Sequence, residues 1–380
     1  MQIDKVKIKN FKSLRDIDIN LENLTLATGV NSSGKSSFIQ AILLIKQNLE
    51  TIQFSNMHYD EKIKKPLNIN DNYVKLGNKK DILYQDVSKE KIEISLTTQK
   101  DLELEDEYDN LLKISFDSNT LQFEANEDFL TNSVSYSLNE DLQYIQTNRI
   151  EPEIFYSMSD EFLLNNNIGL SGEYTAHYLA NNRHKTLDIE ALKHNNSLTN
   201  QLLENVSLWL SDISEGVEVS AKVYDELQKV SLTYQYTYGD NTTSSYTPLN
   251  VGFGLTYVLP IIVAILKSKE GDLLILENPE SHLHPAGQSK IAELCAIASA
   301  NGVQIIAETH SDHFLNGIRV ATKNKIIAPN QSQIYYFKKD KDELETKIDK
   351  INIDENGGMD DYPKGFFDQF DDDLDELLGL

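Results

Sequence analysis

Residues 29–36 constrain the fold of this chain more than any other stretch, because they follow the phosphate-binding pattern G-x-x-x-x-G-K-S without a mismatch. Residues 24–28 before them read as a short buried strand, and residues 37–45 after them have helical apolar spacing. The two glycines let successive backbone N–H groups turn toward a polyphosphate, and the start of a helix adds its positive dipole end. The local sequence therefore predicts a strand–loop–helix unit that binds a nucleoside triphosphate.

Two side chains of this loop carry the chemistry expected of it. Lys35 should reach the β- and γ-phosphates as a point charge, and the Ser36 hydroxyl should ligate Mg²⁺. The alternative is a glycine-rich turn that only caps an ordinary helix, and we set it aside because the strand and the helix on either side both fit the motif. The candidate nucleotide-binding residues are Gly29, Asn31, Ser32, Ser33, Gly34, Lys35, Ser36 and Ser37.

The chain is acidic, with a formal net charge of −25 over 380 residues. Its last forty residues hold fourteen Asp and Glu against four Lys. Because an acidic surface repels a phosphate backbone, this composition does not support nucleic-acid binding, although a local basic patch would permit it.

Cysteine usage and hydropathy bear on the compartment. Cys295 is the only cysteine, so no internal disulfide can form, which suits a reducing compartment. No apolar run reaches the roughly 18 residues of a membrane span, and the first residues carry no signal-peptide h-region. We therefore expect a cytoplasmic protein that does not enter a membrane.

The patterns of apolar residues predict four regions along the chain. They are a P-loop nucleotide-binding core in two halves at 1–55 and 246–340, an antiparallel β-subdomain at 56–143, a core strand with a helical insertion and a hairpin at 144–245, and an acidic C-terminal segment with an amphipathic helix at 341–380.

Several elements inside these regions can be predicted individually. Alternating runs at 91–97, 111–116 and 133–138 predict strands of the β-subdomain, and residues 144–150 predict a strand that ends at Arg149. The acidic stretch 101–109 is expected to be a solvated loop. Apolar residues of the tail are assigned to one helical face, which should pack against the protein's own body in preference to a partner. They are Phe366, Phe367, Phe370, Leu374, Leu377 and Leu378.

A second half of the nucleotide site is predicted downstream. Residues 272–277 form an apolar run that ends in Glu277, as a buried strand delivering a Mg²⁺-associated carboxylate should. Residues 304–310 repeat this pattern, and His310 at the tip could sense the γ-phosphate or position water. Gly252 and Gly254 precede a long apolar helix, where they form either a second anion-binding nest or a site of close helix packing.

Five segments, in chain order, resemble the motif set of ABC-type ATPase heads, and the RecF, SMC and OLD-like branch is the most similar. They are residues 10–13, 29–36, 252–254, 277–285 and 308–311. More narrowly, Tyr144 with Arg149, residues 172–174 and residues 362–369 resemble bacterial AAA ATPases that carry an uncharacterised C-terminal domain. The resemblance implies an α/β P-loop NTPase fold, namely an ABC-type head with a mixed core sheet, an antiparallel β-subdomain and an inserted helical lobe.

The resemblance also implies cofactors and roles. ATP with Mg²⁺ is held in cis by Lys35, Ser36 and Glu277, and His310 is the switch histidine. In such heads the signature residues act in trans on the nucleotide of another subunit, which implies a homodimer or a higher homo-oligomer. Those signature residues are Gly252, Phe253 and Gly254.

One position departs from the family pattern. Asn278 stands where these heads place a catalytic Glu directly after the carboxylate of the strand, and an amide cannot accept a proton from the attacking water. Glu280 or His310 could serve as the general base instead. Otherwise turnover is slow and the ATP-bound state is long-lived.

These observations lead to three functional hypotheses. The first is a Mg²⁺-dependent ATPase that dimerises around ATP and controls an associated effector, a nuclease or toxin encoded nearby, in bacterial anti-phage defence. It depends on family analogy and on the lack of a second catalytic motif in the sequence, such as G-x-S-x-G or a zinc spacing. The second is a RecF-like ATPase that acts in DNA repair or binds DNA ends. The third is a slowly hydrolysing, ATP-gated scaffold, which the amide at position 278 permits.

Overall fold

The structure is a computed structural model that describes residues 2–53, 64–84, 91–98, 111–117, 122–125, 135, 137–340, 342, 344–363, 365–367 and 369–378. It divides into two compact units. The first comprises residues 1–142, 333–352 and 359–380, and the second comprises residues 143–332 and 353–358. The predicted acidic loop at 101–109 lies outside the described residues.

The strands, in chain order, are β1 (Lys5–Phe11), β2 (Leu14–Asn20), β3 (Leu24–Gly29), β4 (Lys64–Pro66), β5 (Lys91–Thr97), β6 (Leu111–Asp117), β7 (Gln122–Ala125), β8 (Leu142–Ile145), β9 (Val217–Tyr224), β10 (Lys229–Tyr238), β11 (Asn241–Thr242), β12 (Leu273–Glu277), β13 (Gln304–Glu308), β14 (Ser332–Lys339) and β15 (Thr346–Ile351). The helices are α1 (Lys35–Gln53), α2 (Asp160–Leu164), α3 (Thr175–Asn182), α4 (Leu202–Ser211), α5 (Phe253–Leu266), α6 (Pro285–Ala300), α7 (Asp312–Lys323) and α8 (Gln369–Leu378).

An antiparallel sheet in the first unit has the strand order β2-β1-β5-β6-β7-β4. Ile8 pairs with Ile17 on one side and with Ile94 on the other, and Ile94 pairs with Ile114. All four isoleucines are buried, because residues paired directly across neighbouring strands point to the same face of the sheet. The strands predicted at 91–97 and 111–116 are therefore confirmed as antiparallel neighbours.

The third run predicted as a strand, at 133–138, is wrong where the structure describes it. Residues Ser137–Asp141 form a single π-helical turn, and β8 begins directly after it. Leu138 is buried within that turn. A short apolar alternation can be satisfied by one buried side chain on a turn as well as by a strand, and the turn forms here.

The first unit also contains β15, β14 and β3 as hydrogen-bonded neighbours in that order. The side chains of β3 are buried, and α1 follows it with a continuous buried stretch from Ala41 to Leu49. Phe38 of α1 packs against Phe337 of β14 with ring centroids 5.9 Å apart. The strand and the helix predicted around the phosphate loop are thus confirmed, and both belong to the buried core of this unit.

In the second unit, β13, β12 and β8 lie side by side, and β12 runs parallel to β13. Glu277 pairs with Glu308, so the two strands end at the same level. The predicted hairpin is also present, with β9 antiparallel to β10. Helix α5 is buried from Leu255 to Leu266. Across the described residues, none of the helices combines the length and apolar character needed to cross a membrane.

The strand predicted to end at Arg149 is shorter than expected. β8 ends at Ile145, and the chain continues as a loop. The backbone N–H of Gln146 donates to the Leu170 carbonyl, and that of Thr147 donates to the Glu277 carboxylate instead of to a neighbouring strand. After Ile145 the backbone N–H groups therefore bond to a loop carbonyl and to a side chain, and the strand does not continue to Arg149.

The tail also differs from the prediction. Phe366 and Phe367 precede α8, and Phe366 is buried against Tyr336 with ring centroids 5.3 Å apart. Leu377 within α8 is 84% exposed, and Leu374 and Leu378 are exposed as well. The phenylalanines and leucines therefore do not share one packed helical face, because the helix begins only after the phenylalanines. The side chain of Phe370 lies outside the described part of the chain.

Candidate nucleotide site

The phosphate loop joins β3 to α1 and contains three residues with left-handed backbone angles. Gly29 has a φ of +138°, Ser32 of +61° and Gly34 of +108°. A Cβ at Gly29 would lie 2.1 Å from the Phe337 carbonyl oxygen, and one at Gly34 would lie 2.4 Å from Thr346 Oγ1. Both glycines are therefore required by conformation and by close packing within the first unit.

Replacing Gly29 by alanine should destabilise the protein by about 3 kcal/mol or more, because it adds a backbone clash to an unfavourable φ. Gly239→Ala is the control, since Gly239 has a φ of +58° but a Cβ there would meet nothing within 4 Å. We expect its cost to be only about 1 kcal/mol. Urea unfolding midpoints of the two full-length variants provide the comparison, and equal shifts would contradict the role assigned to the Phe337 contact.

The ammonium group of Lys35 lies inside the loop. Its Nζ donates to the carbonyl oxygens of Gly29 and Val30, each at 2.9 Å, and the residue is only 3% exposed. The first helical hydrogen bond follows immediately, from Phe38 N to Gly34 O at 3.0 Å. A positive charge and the amino end of a helix therefore occupy the same small region, which is the arrangement that a polyphosphate requires.

The loop is supported by residues far from it in the sequence, which no local motif indicates. Thr346 Oγ1 donates to the Ser33 carbonyl oxygen at 2.8 Å and lies 2.8 Å from Ser13 Oγ. The backbone N–H of Thr346 donates to the Ser13 carbonyl at 2.9 Å. Ser33 Oγ is buried and has no hydrogen-bond partner among the described residues. The start of β15 thus holds the middle of the phosphate loop in place.

The remaining candidate residues of the loop differ in exposure. Asn31, Ser32 and Ser36 are exposed, and Ser37 is half-buried. The hydroxyl of Ser36 at the start of α1 is a hard oxygen donor of the kind that Mg²⁺ prefers. Within the described ranges, no group of three or more His, Cys, Asp or Glu could hold a metal ion. A Mg²⁺ ion that takes one or two protein oxygens together with substrate phosphates does not need such a group.

In the second unit, Glu277 ends β12 with both carboxylate oxygens hydrogen-bonded. Tyr144 OH donates to Oε1 at 2.9 Å, and Thr147 N and Oγ1 both lie 3.0 Å from Oε2. Burial, together with the Glu277 charge, raises the pKa of Tyr144, so its hydroxyl stays protonated and remains a donor. These contacts hold the carboxylate in a single orientation.

Arg149 supports the backbone beneath that carboxylate. Its Nη2 donates to the carbonyl oxygens of Glu277 and Asn278, the latter at 2.8 Å. The guanidinium lies 4.7 Å from the ring centroid of Tyr257, whose hydroxyl donates to the Thr147 carbonyl. Burial lowers the pKa of Arg149 to about 10, so it remains charged at neutral pH. The sequence predicted Arg149 to lie at the end of a strand, and the contacts with the Glu277 and Asn278 carbonyls give it a structural role there.

The residues after Glu277 form a tight turn. Asn278 has a φ of +46° and His282 a φ of +64°. Asn278 N donates to the Glu308 carbonyl at 2.8 Å, and Ser281 N donates to the Asn278 carbonyl at 3.1 Å. Asparagine tolerates the left-handed region better than glutamate does, because its short amide can bond locally. The backbone therefore gives a physical reason for an asparagine at this position.

Glu280 is buried in the same turn and is 6% exposed. Its Oε1 accepts a hydrogen bond from His310 N at 3.0 Å, whereas its Oε2 is buried without a partner within the described part of the chain. Burial raises the pKa of Glu280. The imidazole of His310 belongs to an exposed residue. The structure thus brings Glu277, Asn278, Glu280 and the His310 backbone to the carboxyl ends of β12 and β13.

The two glycines predicted to belong to the signature differ in their surroundings. Gly252 caps α5, is exposed, and a Cβ on it would meet nothing within 4 Å. A Cβ on Gly254 would lie 2.5 Å from the His282 carbonyl oxygen. Phe253 between them is 40% exposed, although its ring meets the His282 ring at 4.8 Å. Close packing within the chain therefore accounts for Gly254, and it does not account for Gly252.

The family of this chain follows from its similarity to known protein families. A family model described as an AAA ATPase domain matches residues 1–315. The chain belongs to this family. A second model, described as a protein of unknown function (DUF3696), matches residues 327–377 of this AAA ATPase. No curated protein matches the chain.

Solved structures agree on the fold of the AAA ATPase. An SMC head bound to the C-winged helix domain of ScpA matches with 14% identity and a TM-score of 0.56, over 93% of this chain and 98% of that one. An SMC head domain with an extended coiled coil, bound to the C-terminal domain of ScpA derived from Pyrococcus furiosus, matches with 13% identity and a TM-score of 0.51, over 99% of each chain. The predicted fold class is therefore confirmed: an α/β P-loop NTPase of the ABC-type head kind.

Proposed function

We propose that this AAA ATPase hydrolyses ATP with Mg²⁺ and pairs with a second copy of itself around the nucleotide. The proposal depends on the exposure of Gly252. This glycine caps a long buried helix, faces solvent, and has no neighbour that would exclude a side chain. Helix ends of this kind bind anions through their N–H groups. Its exposure supports the role that the family resemblance implies, which is contact with the nucleotide of a partner copy.

The candidate residues have the following proposed roles. Lys35 and the loop N–H groups bind the phosphates, and Ser36 donates a hydroxyl oxygen to Mg²⁺. Glu277 is the Mg²⁺-associated carboxylate, and its two hydrogen-bonded oxygens support a role that depends on fixed orientation. Glu280 is the general base, and His310, which comes after β13, is the switch residue. ATP supplies the γ-phosphate that is transferred to water.

The energetics of nucleotide binding explain how such a pair could act as a switch. A ligand that binds only the associated state stabilises that state by about 2.7 kcal/mol when it is present at 100 times its Kd. Loss of the γ-phosphate on hydrolysis removes the groups that both copies contact, so the pair loosens. ATP occupancy is thereby coupled to association.

Gly252→Arg tests the dimer. Its backbone φ of −58° suits any residue and the site is open, so the variant should fold and bind ATP normally. We expect it to lose ATP-dependent dimerisation in size-exclusion chromatography with light scattering, and to lose about tenfold or more in turnover. Gly239→Arg is the control, because Gly239 is also exposed with nothing within 4 Å of a Cβ and lies outside the signature, so this variant should keep ATP-dependent dimerisation. A Gly252→Arg protein that still dimerises with ATP and Mg²⁺ would contradict the proposal.

The output of the switch is proposed to be an effector protein, a nuclease or toxin encoded nearby and used in anti-phage defence. The sequence supports a separate effector because it contains no second catalytic motif. The SMC heads of similar fold were solved in complex with domains of another protein, ScpA. Co-expression with the neighbouring genes, followed by purification with and without ATP, should recover a partner in one nucleotide state. A protein that stays alone and processes DNA by itself would favour the RecF-like alternative.

A further inference from the structure

The hydroxyl of Thr147 has two neighbours that could each accept its proton. Its Oγ1 lies 3.0 Å from Glu277 Oε2 and 3.0 Å from the atom placed as Asn278 Oδ1. A threonine hydroxyl has one proton and can donate it only once. If both neighbours were acceptors, one of these two contacts would be repulsive.

Charge decides which neighbour receives the proton. Glu277 Oε2 belongs to a carboxylate that already accepts from the backbone N–H of Thr147, and hydrogen bonds to ionised acceptors are roughly twice as strong as neutral ones. The oxygen and nitrogen of an asparagine amide occupy interchangeable positions, so their assignment follows from the hydrogen-bond network. The nitrogen of Asn278 therefore faces Thr147 and donates to its Oγ1.

We infer that Asn278 and Thr147 form a hydrogen-bond chain that positions the Glu277 carboxylate, with the Asn278 amide donating to the Thr147 hydroxyl and that hydroxyl donating to Glu277. Tyr144 OH fixes the other oxygen of the carboxylate. Asn278 thus serves as a positioning residue in place of the general base that the family pattern leads one to expect. This inference rests on the proposed role of Glu277 toward Mg²⁺.

The surrounding backbone is fixed on both sides of this chain. Arg149 holds the carbonyls of Glu277 and Asn278, and Tyr257 holds the carbonyl of Thr147. These backbone contacts hold the peptide groups without help from the side chains of Thr147 and Asn278. The hydrogen bonds between those side chains therefore determine only their rotamers. A glutamate at position 278 would bring an acceptor where the chain needs a donor, and its longer side chain would sit on a left-handed backbone.

Two substitutions at Thr147 test the chain. Thr147→Val removes the hydroxyl but keeps the shape and the backbone N–H, whereas Thr147→Ser keeps the hydroxyl. For Thr147→Val we expect kcat to fall about 10–100-fold with the KM for ATP almost unchanged, as for residues that orient a metal ligand. In calorimetric titration with a non-hydrolysable ATP analogue present, its Mg²⁺ dissociation constant should rise roughly tenfold. Thr147→Ser should restore both values to within about threefold of the wild type.

Asn278→Ala completes the test, because alanine removes the amide donor and adds no charge beside Glu277. It should reproduce the loss of kcat and of Mg²⁺ affinity seen in Thr147→Val. The double variant should lose no more than either single variant, because each substitution already removes the same hydrogen-bond chain. Losses that multiply, or a Thr147→Val protein that matches the wild type in kcat and Mg²⁺ affinity, would overturn the inference. A wild-type protein without ATPase activity would instead contradict the proposed function.

Discussion

Lys35→Ala should reduce kcat/KM for ATP hydrolysis by about 10³-fold. The ammonium is buried between the Gly29 and Val30 carbonyls, where few waters compete with a phosphate for its charge. Alanine at this position removes the charge together with the two hydrogen bonds from Nζ to the loop carbonyls. In the loose transition state of phosphoryl transfer, negative charge develops on the oxygen that leaves with the β-phosphate, so the loss should fall on the transition state as well as on binding.

Phosphate release under multiple- and single-turnover conditions measures this effect. Lys5→Ala is the control, because Lys5 belongs to the same unit and pairs at the surface with Asp18 at 2.8 Å. Its hydrolysis rate should stay within about twofold of the wild type. If Lys35→Ala retained a similar rate, the loop would not be the nucleotide site.

Glu280→Gln should lower the single-turnover rate by about 10²-fold or more, which is the usual range for removal of a general base. Glu280 is buried, and its Oε1 is oriented by His310 N. Glutamine preserves the size and one acceptor oxygen but cannot take a proton from water. Burial raises the pKa of Glu280, so the carboxylate becomes protonated at a higher pH than an ordinary glutamate, whose pKa is about 4.3. As the pH is lowered, the wild-type rate should therefore begin to fall above that value.

Two further variants separate Glu280 from the other candidates. His310→Gln keeps the backbone N–H that binds Glu280, so a loss smaller than that of Glu280→Gln supports Glu280 as the base. Asn278→Glu should not raise the rate, since a glutamate there removes a donor from the positioning chain. A faster Asn278→Glu protein, or a Glu280→Gln protein with the wild-type rate, would show that Glu280 is not the base. Absence of phosphate release above the Lys35→Ala level in the wild type would identify an ATP-gated scaffold.

Local patterns in the sequence were sufficient to predict those parts of the candidate site whose structure depends on residues close together in the chain. The strand, glycine loop and helix at residues 24–53 follow from a short motif with apolar spacing on either side. The same holds for Glu277 at the end of β12, because a buried strand with a polar tip needs no distant residue to define it. The prediction for residues 144–150 was only partly right, since Thr147 gives its N–H to a carboxylate 130 residues away.

The sequence by itself predicted a glycine loop between a strand and a helix, a buried strand that ends in Glu277, and the family to which the chain belongs. Only the tertiary structure decided that Thr346 supports Ser33 across 313 residues, that Asn278 lies in a left-handed turn beside Thr147, and that Gly254 is needed for packing whereas Gly252 is not. The physical reason is that a motif or a period records interactions between residues a few positions apart. Contacts across long separations depend on where the folded backbone places each group, and they leave no periodic trace in the chain.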